Sequence, residues 1–262
     1  MATSTSGARS GTSGDIWEKA ARAGYAVSGV LHLILGFLIV KIGMGSGGEA
    51  DQSTALASLG HNPLGTVILG AAAAAFLALA LWQLADVVRG SDTTDRLKAA
   101  GKTALYLSLA VTAASIAMGS SDTNGDQQAQ GFASTVMQAP AGRVLVGAVG
   151  VGIVAAAIYH VYKGFTKKFL EDLKPINRGE VGAGVRVLGM IGYPAKGVAL
   201  GVVGVLFTAA AVTADPNKAQ GVDGAVESLL GAPGGPVIVI LVGLGFAAYG
   251  LYSLGRARYA RM

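Results

Sequence analysis

Six apolar runs, each close to the thickness of a bilayer, govern what this chain can fold into. They cover roughly Tyr25 to Met44, Leu64 to Val88, Thr103 to Met118, Val144 to Tyr162, Val185 to Ala214 and Val237 to Leu254. A helix needs ~20 apolar residues to cross the hydrocarbon layer. Backbone amides in lipid must find partners within the span, and the period-two alternation of a barrel is absent, so the runs predict helices. Composition agrees: 52% of the 262 residues are hydrophobic and 13% charged, more apolar surface than one soluble core could hide. With no cysteine, the chain has no disulfide framework, no thiolate nucleophile and no Cys-based metal site.

The net charge of +5 could suggest nucleic acid, but in a membrane chain the side on which lysine and arginine fall matters more. Most of them sit in the N-terminal tail, after the second span, after the fourth span and at the C-terminus. The other three loops carry Glu49, Asp51, Asp122, Asp126, Asp215, Asp223 and Glu227 against Lys218. The positive-inside rule therefore places both termini in the cytoplasm of a multi-pass membrane protein, with no nucleic-acid partner expected. Residues 1–14 are small and polar and read as a disordered tail. Asp15 with Glu18 can cap the first helix, and Trp17 suits the headgroup layer. A cleaved signal peptide does not fit, because the first span is long and its pattern recurs inside the chain.

That recurrence is the second constraint. "GYAVSGVLHLILGF" from Gly24 and "GYPAKGVALGVVGV" from Gly192 share Gly, Tyr, Gly, Val and Gly at the same offsets, and "GKTALYLSLAVTAA" from Gly101 is a degenerate middle copy. A second frame starts at Pro63, Pro140 and Pro233, each followed 19 residues later by an aromatic, Trp82, Tyr159 and Tyr252. At ~1.5 Å per residue that interval spans ~28 Å, so the proline and the aromatic mark opposite faces of the membrane. The predicted organisation is a tail over 1–14, repeats over 15–90, 91–170 and 188–262, and a cytoplasmic linker over 171–187. Each repeat has a helix A, an outer loop and a helix B started by its proline, with Asn62 as a cap in the first copy. Two spans per repeat give all three the same orientation, so the predicted fold is all-α, six transmembrane helices around a pseudo-threefold axis along the membrane normal. Gly29, Gly36 and Gly43, and likewise Gly197, Gly204 and Ala211, recur every seven residues as small-residue stripes along which helix backbones can approach closely, and Gly201 adds a small-xxx-small pair with Gly197.

In this pattern, "GYPAKGVALGVVGV", "DPNKAQGVDGAVESLLGAPGGP" and the C-terminal "GLGFAAYGLYSLGRARYARM" resemble the actinobacterial membrane proteins grouped as domain of unknown function 1206. The likeness runs from Ala21 to Met262 and is strongest around Ala248, Tyr249 and Gly250. It implies three two-helix repeats in a bacterial plasma membrane, and it implies no activity.

His32 is the deepest ionisable side chain of the first span, and such groups are functional candidates because they are expensive in lipid. The plainer alternative is a neutral imidazole bonded to a helix carbonyl. Lys196 is four residues past Gly192, where its stem can snorkel to the cytoplasmic headgroups. Gln83, His160 and Ser253 each follow the frame aromatic and could form a polar ring, while Trp82, Tyr159 and Tyr252 read as an interfacial belt. Ser58, Thr135 and Ser228 stand five residues before the proline and suit helix-to-loop hydrogen bonds. Asp86 with Arg89 reads as a surface ion pair. No phosphate-binding loop, nucleophile elbow or metal-spaced histidine cluster occurs, so neither catalytic residues nor a cofactor or metal is expected, and the chain is not read as an enzyme. The expected function is handling a small molecule, ion or lipid in a central cavity lined by His32, Gln83, His160 and Lys196. The alternative is a scaffold that docks a membrane-protein partner, or another copy of itself, through its glycine-rich faces.

Overall fold

The computed structural model describes residues 10–48, 63–89, 92–119, 125–174 and 180–261. Their regular structure is helical: α1 (Ser10–Gly43), α2 (Pro63–Arg89), α3 (Thr93–Ala117), α4 (Gly125–Met137), α5 (Gly142–Phe165), α6 (Glu180–Thr213), α7 (Val222–Leu230) and α8 (Gly235–Tyr259). Short 3-10 turns occupy Lys168–Asp172 and Pro216–Lys218. The chain divides into two compact units, residues 51–128 and residues 1–50 with 129–262.

In the 51–128 unit, α2 and α3 pack along each other as an antiparallel pair. Phe76 stacks on Tyr106, with centroids 6.4 Å apart, and Thr112 donates to Gln128 across 3.0 Å. In the larger unit α8 is central: α1 lies along one side of it and α6 along another, and α5 packs on α6. The short helix α7 packs on α6 and α8.

Close backbone approach explains these pairings. A Cβ on Gly36 would lie 2.6 Å from the Ala247 nitrogen, and one on Gly29 would lie 2.9 Å from the Gly250 carbonyl oxygen. Gly43 meets Ile240 in the same seam between α1 and α8. Gly197 and Gly204 do the same for α6 against α5, where added carbons would lie 2.9 Å from the Ala157 oxygen and 2.8 Å from the Gly150 oxygen. Gly201 differs: its nearest neighbour is the Ala157 Cβ at an ordinary 3.8 Å. Since lipid supplies no hydrophobic drive between helices, such contacts carry the packing energy. Both stripes are therefore occupied within the chain.

Among the described residues, five helices are long and apolar enough to cross a membrane: Arg22–Gly43, Gly65–Ala85, Gly142–Phe165, Gly182–Thr213 and Gly235–Tyr259. The predicted third span differs. Helix α3 is 25 residues long, but Asp95, Arg96, Lys98 and Lys102 occupy its first turns. Its apolar part, from Thr103, is only about 22 Å long at ~1.5 Å per residue.

Several local expectations are corrected. Helix α1 begins at Ser10, so residues 10–14 are helical rather than part of a disordered tail, and Asp15 lies inside the helix instead of capping it. Extending an existing helix is far cheaper than nucleating one. Residues 180–187 belong to α6 rather than to a linker. Pro63 starts α2, but Pro140 and Pro233 stand two residues before α5 and α8, in turns whose last residues, Ala141 (φ 61°) and Gly234 (φ 74°), are left-handed. Trp82 and Tyr159 are exposed as a belt requires, whereas Tyr252 is 0% exposed and belongs to the core. Thr135 donates to the Gly131 carbonyl of its own helix at 2.8 Å, not to a loop. Ser58 and Asn62, and the side chains of Trp17, Glu18, Asp86 and Arg89, lie outside what is described.

Candidate functional site

The polar interior of the larger unit begins at His32 on α1, which is 5% exposed. Its Nδ1 lies 2.7 Å from the Ser28 carbonyl oxygen. A carbonyl only accepts, so Nδ1 carries the proton and Nε2 presents a lone pair. Lys196 Nζ, on α6, donates to that lone pair at 3.2 Å. The lysine therefore turns inward instead of snorkelling to headgroups. In the two aligned phrases Ser28 and Lys196 hold the same place, and both serve His32, one on each ring nitrogen. Two residues earlier, Pro194 lies within α6 and, lacking an N–H, leaves the Met190 carbonyl without its helical partner.

Helix α8 supplies the walls. Tyr249 packs against His32 with centroids 4.7 Å apart and lies under Lys196 Nζ at 4.5 Å, and Phe246 stacks on the imidazole at 5.9 Å. Tyr249 leads to Tyr193 (5.2 Å), which also touches Tyr252 (5.4 Å), Phe169 (5.4 Å) and His160 (5.9 Å). His160 Nδ1 donates to the Ala156 carbonyl of its own helix at 2.8 Å, and its ring flanks the aromatic chain. Ser253 is buried on α8. Gln83 is half-buried on α2 in the 51–128 unit.

Phe169 closes one end. It sits on the 3-10 turn after α5, is 0% exposed, and enters because Gly189 has no side chain to oppose its ring. Tyr252 donates its hydroxyl to the Phe169 carbonyl at 3.2 Å. The strap 168–174 is then tied to the C-terminus by the antiparallel bridge Leu173–Ala260, with Lys174 N donating to the Tyr259 oxygen at 2.7 Å and Arg261 N to the Asp172 oxygen at 2.9 Å.

Charge surrounds this strap. Asp172 takes Lys163 at 2.7 Å and Arg256 at 3.2 Å on one oxygen. Lys163 also lies over the Tyr193 ring at 5.5 Å, and Arg256 over Tyr25 at 4.4 Å. Arg256 Nε is buried and has no hydrogen-bond partner among the described residues. Arg22 donates to the Ala257 and Arg258 carbonyls at the end of α8. Lys168, exposed on the strap, is held above the ordinary lysine range, chiefly by its hydrogen bond to Tyr162.

The structure thus brings His32 and Lys196 into contact and joins His160 to them through aromatic rings. Sequence reasoning missed Tyr25, Tyr193, Tyr249, Phe169, Asp172 and Arg256. Part of the signal was there: Tyr25 and Tyr193 are the same residue of the repeated phrase, and Lys163 and Arg256 each stand four residues after the frame aromatic.

These features define a multi-pass α-helical membrane protein built from repeats, with a polar site inside its helices. The chain matches the family described as Domain of Unknown Function (DUF1206) three times, over residues 23–90, 97–167 and 191–260, and belongs to it. It is also similar to Uncharacterized protein YxxB of Bacillus subtilis (strain 168), 26% identical over 251 residues that cover 92% of this chain and 90% of that one. No solved structure matches the chain.

Proposed function

We propose that the protein binds a small anion from the cytoplasm at the site running from His32 and Lys196 to Arg256. The observation that carries this reading is the charge imbalance. Lys163, Lys196 and Arg256 line one aromatic-walled interior in which Asp172 is the only carboxylate paired with them among the described residues. A cation within a span costs several kcal/mol to desolvate. Cation–π contact returns about 0.5–2 kcal/mol, and Tyr249 and a neutral imidazole leave Lys196 short of a counter-charge. An anion supplies it, and the unbonded Arg256 Nε offers a further donor. Rings fill the interior, so a ligand enters when the Phe169 strap lifts. The reading assigns no covalent chemistry, metal, cofactor or nucleic-acid partner.

The same proposal includes six spans in the plasma membrane, cytoplasmic termini and a pseudo-threefold arrangement of like-oriented repeats. Helix B of a repeat packs on helix A of the next in three cases, α2 on α3, α5 on α6 and α8 on α1, which supports a cyclic order. Five crossings would put the termini on opposite sides, against the distribution of lysine and arginine. Scaffolding through the glycine faces loses its surface, because α8 and α5 already cover them.

Thermal unfolding of the detergent-purified protein at constant ionic strength, with chloride, phosphate and short carboxylates compared, tests the anion site. Linkage predicts a saturable rise in the midpoint with one anion class. Equal midpoints in all three series contradict the reading.

A further inference from the structure

A second feature lies on the α5–α6 seam, away from His32. One open groove there, of ≈ 520 Å³, is lined by apolar or small residues, among them Met137, Val144, Gly147, Ala211 and Val212, with Arg143 as its only charged member among the described residues. Arg143 is not a loose surface side chain. Its Nε donates to the Ala211 carbonyl at 3.1 Å and one terminal nitrogen to the Val212 carbonyl at 3.0 Å, fixing the guanidinium across the end of α6. Two of its five N–H donors are used in this way, which leaves others for an acceptor. Val144 and Val212 are 73% and 74% exposed, so the groove opens to the surroundings of the helices, which for these spans is lipid.

Farther along the same two helices is a smaller groove of ≈ 360 Å³, lined by Val154, Ala157, Ile158, Val161, Gly197 and Gly201 together with Tyr162, and holding no cation. The two grooves share the lipid-side character and differ in Arg143. An alkyl chain fits either one. A fixed cation at the end of a span, where headgroups lie, suits only a chain that carries an anion at that depth.

We propose that the Arg143 groove seats one phospholipid, its acyl chain along Gly147 and Ala211 and its phosphate on the Arg143 guanidinium. The site is independent of the anion site at Lys196.

Native mass spectrometry of the full chain in mild detergent tests it, with phosphatidylglycerol, a diacylglycerol of the same chains, and inorganic phosphate as probes. One phosphatidylglycerol per chain is expected to be retained, with the diacylglycerol and free phosphate each at least about tenfold weaker. Arg143→Gln should cost phosphatidylglycerol about tenfold and Arg143→Lys less. Gly147→Leu, which keeps the Arg143 side chain and places its first added carbon 3.3 Å from the Ala211 Cβ, should weaken both lipids by filling the groove, and its unliganded thermal midpoint checks that it folds. Equal retention of diacylglycerol, equal binding of free phosphate, unchanged retention by both Arg143→Gln and Gly147→Leu, or chain dimers in place of bound lipid would each overturn the proposal.

Discussion

Lys163 and Arg256 converge on a single oxygen, Asp172 Oδ2, at 2.7 and 3.2 Å, although they come from different repeats. Each stands four residues past its frame aromatic, and each covers the tyrosine of a repeated phrase, Tyr193 and Tyr25. One carboxylate thus fastens two equivalent joints. Asp172→Asn leaves both cations without it. The pairs are partly exposed, so the expected loss is about 2 kcal/mol, below that of a fully buried pair. A fall of several degrees in the thermal midpoint checks this, and Glu171→Gln, on the exposed side of the turn, should change little.

The Phe169 strap should control access. The chain has no cysteine, so a single Ser253→Cys reports on the buried interior without background. Its labelling by a small charged thiol reagent should be slow, and faster by about tenfold with Phe169→Ala, since the removed ring leaves a path for water. A disulfide between Leu173→Cys and Ala260→Cys, added with a label-free readout of strand pairing, should keep the strap down. Equal labelling in the native strap and in Phe169→Ala would remove the gate from the account.

Glycines with similar sequence roles should differ sharply in cost. Gly36→Ala places a carbon 2.6 Å from the Ala247 nitrogen, which belongs to the backbone and cannot step aside. The expected loss is about 1–3 kcal/mol. Gly201→Ala meets only ordinary contact at 3.8 Å and should be neutral or slightly stabilising. Unfolding in detergent of the two variants side by side measures the difference.

Lys196→Met should separate stability from binding. It removes a desolvated cation while keeping most of the stem, so the unliganded midpoint should hold or rise. The anion-dependent rise should vanish. A variant that keeps the full anion response would move the site elsewhere.

Much of this was legible in the sequence because the lipid environment imposes simple rules. Run length and loop charge marked the helices, and His32 stood out as an ionisable group in an apolar run. What stayed hidden depends on direction around a helix. A frame of 19 residues gives depth but not face, so Tyr252 read as belt with Trp82 and Tyr159, yet it is buried against Phe169. Snorkelling and an inward turn are both open to a lysine one turn into a span, and only the position of His32 decides for Lys196. Asp172 stands beside Glu171 in a basic loop, and nothing local says which of the two acids two distant helix ends will meet on. Gly201 pairs with Gly197 in the sequence, yet Gly197 meets the α5 backbone closely while Gly201 has only ordinary contact with the Ala157 Cβ.

The most direct measurement is a cysteine-accessibility map of the intact membrane with single substitutions at Gly48, Arg96, Gly125, Lys174 and Lys218. Three like-oriented repeats predict that an impermeant reagent added outside labels positions 48, 125 and 218 and spares 96 and 174. Protection of 125 with labelling of 174 would mean that α3 does not cross, which reverses every later helix relative to α1 and is incompatible with the contact between His32 and Lys196.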